Sequence, residues 1–107
     1  MIHHLVLFRV LEDDAARVCR ELGAALECLE RDIDGLAVAW LHGPNTTPDA
    51  EAADYALLAG FAHREALEKY FVHPAHVALL ERFAGRVALT FADLMAPGSS
   101  GGASAEV

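Results

Sequence analysis

Lysine is nearly absent. The 107-residue chain has one, Lys69, beside seven arginines, and sixteen Asp and Glu side chains bring its net charge to −8. The cations are interspersed with acids and form no stripe. Phosphate backbones are bound by clustered Lys and Arg, so no nucleic-acid partner is expected. An anionic membrane surface is disfavoured on the same ground. Long apolar runs are missing too, and nothing approaches the ~18–20 residues that a membrane-spanning helix needs. The stretch Met1-Ile2-His3-His4 has no basic segment ahead of its apolar residues. No secretory signal is therefore expected, and the cytoplasm is the expected location. Of the two cysteines, Cys19 flanks the apolar side of a helical segment and Cys28 lies on its polar side. At ~100° per residue they point in opposite directions, so no disulfide can join them. Neither has Cys or His neighbours at zinc-finger spacing. There is no Gly-x-Ser-x-Gly, no nucleophilic cysteine arrangement and no dinucleotide fingerprint. Covalent acyl chemistry and a dinucleotide cofactor are therefore not expected.

Apolar residues are plentiful, at 54%, enough for one core in one domain. Ile2 to Val10 reads as a strand, with Ile2, His4, Val6, Phe8 and Val10 on one face and His3, Leu5, Leu7 and Arg9 on the other. Asp13 or Asp14 can cap a following helix. Val18, Leu22, Leu26, Leu29 and Ile33 recur at helical spacing and give that helix one apolar stripe, which Asp34-Gly35 ends. Leu36 to His42 predicts a second strand, and Gly43-Pro44 breaks it. Tyr55 to Phe61 predicts a third. A helix is expected from His63 to about Val72. Pro74 then favours the first position of a new helix over about 75–84, or a kink in one long helix. Arg86 to Asp93 predicts a fourth strand. Domain 1–95 thus has the order βαββαβ, an α+β ferredoxin-like fold with a four-stranded antiparallel sheet and helices on one face. Residues 96–107 are rich in Gly and Ser and read as a flexible tail. All four strands are apolar on both faces, yet two helices cover only one of them. A homodimer that buries the second face, as a dimeric α+β barrel or by face-to-face packing, is the expectation.

Three stretches carry a family resemblance. They are Ile2-His3-His4-Leu5-Val6-Leu7-Phe8-Arg9, then Ile33-Asp34-Gly35-Leu36 with Gly43 and Asn45, and then Arg64 through Val77 with its Tyr70-Phe71-Val72-His73-Pro74-Ala75-His76 core. On these the chain resembles the stress-responsive α/β-barrel (Dabb) family. The resemblance implies a dimeric barrel with its helices outside. One plant branch of that family resembles polyketide cyclases that work by aldol chemistry. There a tyrosine, the later histidine of this stretch and a first-strand histidine lie in the pocket, which correspond to Tyr70, His76 and His4 here. A further pocket tyrosine of that branch is replaced by Leu26, a departure that puts the same substrate in doubt. Other branches are oligomeric stress proteins without known catalysis.

Histidine exchanges protons near neutrality, which makes His76 the candidate general base. Tyr70 could donate to a developing oxyanion, and His4 could orient. The competing reading has His76 satisfying backbone groups at a helix start or packing in the core. His73, just before Pro74, sits where a cap belongs. Trp40, Phe8 and His73 are candidate ligand contacts, the aromatics also being core candidates. His73 and His76 could share a helix side but lack an obvious third ligand, so no metal is expected, and no cofactor either. Three functions remain open: cofactor-free acid–base catalysis of the cyclase kind on a small apolar or aromatic molecule, a ligand-binding or stress-associated dimer without turnover, and a cofactor-free monooxygenase. Convergence of His76 and Tyr70 on one cavity would favour the first.

Overall fold

The computed structural model describes residues 1–95. The tail expected over 96–107 lies outside the described residues. Strand β1 (Ile2–Val10) leads through helix α1 (Ala15–Asp32) to β2 (Ala39–Pro44) and β3 (Tyr55–Phe61). Helices α2 (Arg64–Val72) and α3 (Pro74–Phe83) follow, and β4 (Val87–Met95) closes the sheet. The strands lie in the order β2-β3-β1-β4, and every pairing is antiparallel. This is the ferredoxin-like α+β fold, with its second helical stretch divided in two.

The division has a local cause. His73 takes an extended conformation (φ −64°, ψ 133°), as a residue before proline tends to. Pro74 then opens α3, and the His73 imidazole accepts a hydrogen bond from the Ala75 amide at 3.1 Å. One residue thus ends α2 and caps α3. At the head of α1 the cap is Asp14, whose carboxylate accepts from the Arg17 amide at 3.0 Å. Beyond its end, Asp34 and Gly35 both take positive φ, 44° and 82°.

The apolar stripe of α1 packs as its spacing requires. Val18, Leu22, Leu26, Leu29 and Ile33 are all buried, against Ile2, Val6, Phe8, Leu57 and Phe61 from the sheet. Burying each large aliphatic side chain is worth roughly 1.5–3 kcal/mol. Cys19 is half-buried and Cys28 exposed, both free.

Strand β2 is displaced from the predicted 36–42. It begins at Ala39, because the Leu36 amide is still engaged in the turn after α1, donating to the Ile33 carbonyl at 3.2 Å. It runs on through Pro44, opposite Tyr55. Proline is tolerated there because β2 is an edge strand with no neighbour on its outer side among the described residues.

Alternation separates the two sheet faces. The face toward the helices holds His4, Val6, Phe8, Tyr55, Leu57 and Phe61, all buried. The opposite face is covered by no described residue: Leu7, Leu41, Leu58 and Leu94 are 41%, 67%, 39% and 46% exposed. None of the helices among the described residues is long and apolar enough to cross a membrane.

Candidate functional site

A cavity of about 260 Å³ lies between the sheet and the helices. This is just below the ~300–1,000 Å³ usual for small-molecule sites. Its walls are aliphatic and aromatic, with Val6 and Phe8 from β1, Leu26 from α1 and Leu79 from α3 among them. Its mouth lies on the β4 side, which the helices leave open. There Leu80, Leu89 and Phe91 line the cavity while remaining 40%, 40% and 56% exposed.

Three hydrogen-bonding side chains face this apolar space: His4, Tyr70 and His76. They come from β1, α2 and α3. The Tyr70 and His76 rings lie 4.3 Å apart between centroids, and the Tyr70 and His4 rings 5.8 Å. His4 and His76 are both buried.

Each imidazole is held by one nitrogen. His76 Nδ1 lies 3.1 Å from the Phe71 carbonyl oxygen. A carbonyl only accepts, so Nδ1 carries the proton, and in the neutral ring Nε2 keeps its lone pair. His4 Nδ1 lies 2.5 Å from Asp93 Oδ1. A carboxylate also accepts, which fixes the same tautomer. Burial pushes the His76 imidazole below its ordinary value. Nearby His4 and His73 push the same way, and the bond to the Phe71 carbonyl opposes them without prevailing. Burial drives the Tyr70 phenol well above its ordinary range. At neutral pH the cavity therefore presents an unprotonated imidazole nitrogen against a fully protonated phenol.

The structure brings His76, Tyr70 and His4 together, and Phe8 with them. It does not bring Trp40 or His73 to the cavity. Trp40 packs edge-on against Tyr70 from β2, with ring centroids 6.2 Å apart, and its buried Nε1 has no partner among the described residues. The His73 ring is occupied as the cap of α3. Asp93 is the residue that sequence reasoning missed. Antiparallel register sets it directly opposite His4. Its one signal was a carboxylate on the strand face that also carries Leu89 and Phe91. Among the described residues no group of three or more His, Cys, Asp or Glu side chains gathers as a metal site would.

The Stress responsive A/B Barrel Domain profile matches residues 2–94. No curated protein matches the chain. Among solved structures, a dimeric protein of unknown function with a ferredoxin-like fold from Bacteroides fragilis is 26% identical, with a TM-score of 0.74 over 87% of this chain and 93% of that one. A Dabb family protein from Mesorhizobium loti is 22% identical, with a TM-score of 0.73 over 91% and 97% of the two chains. An Arabidopsis thaliana protein has the same fold at 18% identity, with a TM-score of 0.76 over 94% and 99%. With the profile spanning both the core and the His4, Tyr70 and His76 positions, the chain belongs to the stress-responsive A/B barrel (Dabb) domain family.

Proposed function

We propose that this protein is a homodimer that binds a small apolar or aromatic carbonyl compound in the cavity between sheet and helices. There it carries out cofactor-free acid–base chemistry of the aldol, cyclase-like kind. His76 Nε2 removes a proton next to a carbonyl, the Tyr70 hydroxyl donates to the enolate oxygen, and His4, held by Asp93, orients. One observation carries this reading: two imidazoles, each tethered through Nδ1, and a phenol share one apolar cavity. A base and a donor on a common space are what enolisation requires. The dimer is supported by the uncovered apolar sheet face and by the dimeric Bacteroides fragilis relative.

A second reading, ligand binding without turnover, is favoured by the bond between His76 and the Phe71 carbonyl, which would also serve a purely structural histidine. A panel of linear β-polyketones and aromatic carbonyl compounds, assayed for product by mass spectrometry, separates the two. The expected outcome is turnover that falls by about 10²–10⁴-fold in His76→Ala. Turnover unchanged in that variant removes His76 from the chemistry. Binding of the panel without any product supports the second reading instead.

A further inference from the structure

A second constellation lies on the other side of α1, in a groove of about 620 Å³ between that helix and the β2–β3 edge of the sheet. This is within the ~300–1,000 Å³ typical of ligand sites. Small residues of α1, among them Ala16, Gly23 and Ala24, leave the space. Three titratable side chains from three elements meet along it. The Tyr55 hydroxyl of β3 lies 2.6 Å from Nδ1 of His42 on β2. His42 Nε2 lies 3.0 Å from Oε1 of Glu27 on α1. The His42 side chain is 9% exposed, while that of Glu27 is 61% exposed and reaches solvent.

The proton inventory follows from the partners. The Glu27 carboxylate can only accept, so His42 Nε2 is the donor. In the neutral ring Nδ1 is then the acceptor, and the Tyr55 O–H must point at it. A hydroxyl bonded to an imidazole, whose far nitrogen is held by a carboxylate, is the order of nucleophile, base and orienting group. The fold makes room for it. A Cβ at position 23 would stand 2.8 Å from the Tyr55 oxygen, so the hydroxyl reaches its place only because α1 has glycine there.

We propose that Tyr55, His42 and Glu27 form a second site, distinct from the cavity that holds His76, and that Tyr55, rather than the Ser or Cys whose missing motifs argued against covalent acyl chemistry, is an acyl acceptor toward small aryl esters lodged in this groove. The Tyr55 oxygen attacks the ester carbonyl and forms a new C–O bond while His42 Nδ1 takes the phenolic proton. The bond from carbonyl carbon to aryl oxygen breaks, and His42 returns the proton to the departing aryl oxide. Water then hydrolyses the tyrosyl ester, releasing the carboxylic acid and restoring the phenol. Glu27 is a positioning residue: it holds the imidazole tautomer and balances the imidazolium formed in the step. Burial raises the Tyr55 phenol above its ordinary value, so the hydroxyl is inert without the base beside it.

The probe is p-nitrophenyl acetate with the whole chain, followed by release of nitrophenol and by peptide mass spectrometry. One acetyl group is expected on Tyr55. Tyr55→Phe, which keeps the ring, should abolish it, and His42→Asn should slow it by about 10²-fold or more. In Glu27→Gln the loss should fall on the acylation rate constant and leave the half-saturating ester concentration unchanged. Gly23→Ala should lower acylation as well, by crowding the hydroxyl. Circular dichroism on each variant identifies any that fails to fold, and the remaining variants then decide. Acetyl appearing only on Cys19 or Lys69 overturns the proposal, as does equal labelling of Tyr55 in His42→Asn.

Discussion

Whether His76 carries a proton decides what it can do. Its position, buried beside Tyr70 and facing His4 and His73, disfavours the cation. An unfolded chain would protonate the same imidazole at its ordinary value of ~6.5. As pH falls below that value the unfolded state takes up the proton first, so stability is lost as pH approaches the lower folded value. Above ~6.5 both states are neutral and the contribution is fully present. Wild type should therefore melt at a lower temperature at pH 5.5 than at pH 7.5, and His76→Phe should lose less over the same interval. Calorimetry at the two pH values measures the difference, and equal losses would place the titration elsewhere. Catalysis should respond in the same sense. The acid limb of kcat/KM is expected below ~6.5, because only the neutral ring accepts a proton. The residue type and its place beside Pro74 were legible in the sequence. The bond to the Phe71 carbonyl was not, since it depends on how the chain turns between two helices. Asp93 was further from reach: its partner His4 lies at the opposite end of the chain, and only the register of β1 against β4 brings them together.

Elements came out of the sequence unevenly, and the reasons are physical. The stripe of α1 is set by 3.6-residue periodicity and all five of its positions are buried. The start of β2 was misplaced because Leu36-Ala37-Val38 is as apolar as a strand, while the turn after α1 still holds the Leu36 amide. Its end was misplaced because proline reads as a breaker until the strand is known to be an edge. The group formed by Glu27, His42 and Tyr55 was invisible, since three elements contribute one residue each and no spacing links them. The break at His73-Pro74 was readable, and it yields a test at this scale. His73 spends its imidazole on the Ala75 amide at the head of α3. Removing a side-chain cap costs about 0.5–2 kcal/mol, and 1 kcal/mol shifts the melting point of a domain this size by roughly 4–8 °C. His73→Ala should therefore lower the melting temperature by several degrees, and His73→Asn should recover much of it, since asparagine caps well. Turnover per folded molecule should stay near wild type in both, because the His73 ring is not in the cavity. A loss of turnover at unchanged stability would instead give His73 the ligand contact that the sequence suggested.

For the whole molecule, the sheet face that no described residue covers is the feature that calls for a partner. Leu7, Leu41, Leu58 and Leu94 come from four different strands and project to the same side. Apolar surface of that kind usually marks an interface, and each of these half-exposed leucines that leaves water there contributes part of the roughly 1.5–3 kcal/mol of a full burial. In the proposed homodimer the two faces cover one another, and a two-fold axis places each leucine near its own symmetry mates or near those of an adjacent strand. A charge at the centre of such a face is then introduced twice and desolvated twice. Leu58 belongs to β3, one of the two inner strands, and lies opposite Leu5 of β1. Leu58→Glu should therefore convert the dimer to a monomer, or raise its dissociation constant by several orders of magnitude, since a buried unpaired carboxylate costs several kcal/mol. Glu81→Gln, at an exposed position on α3, should leave the mass unchanged. Light scattering at micromolar concentration distinguishes the outcomes. A wild-type chain of monomeric mass would exclude the dimer outright. A dimeric Leu58→Glu would move the interface off this face, and the open leucines would then need a different partner.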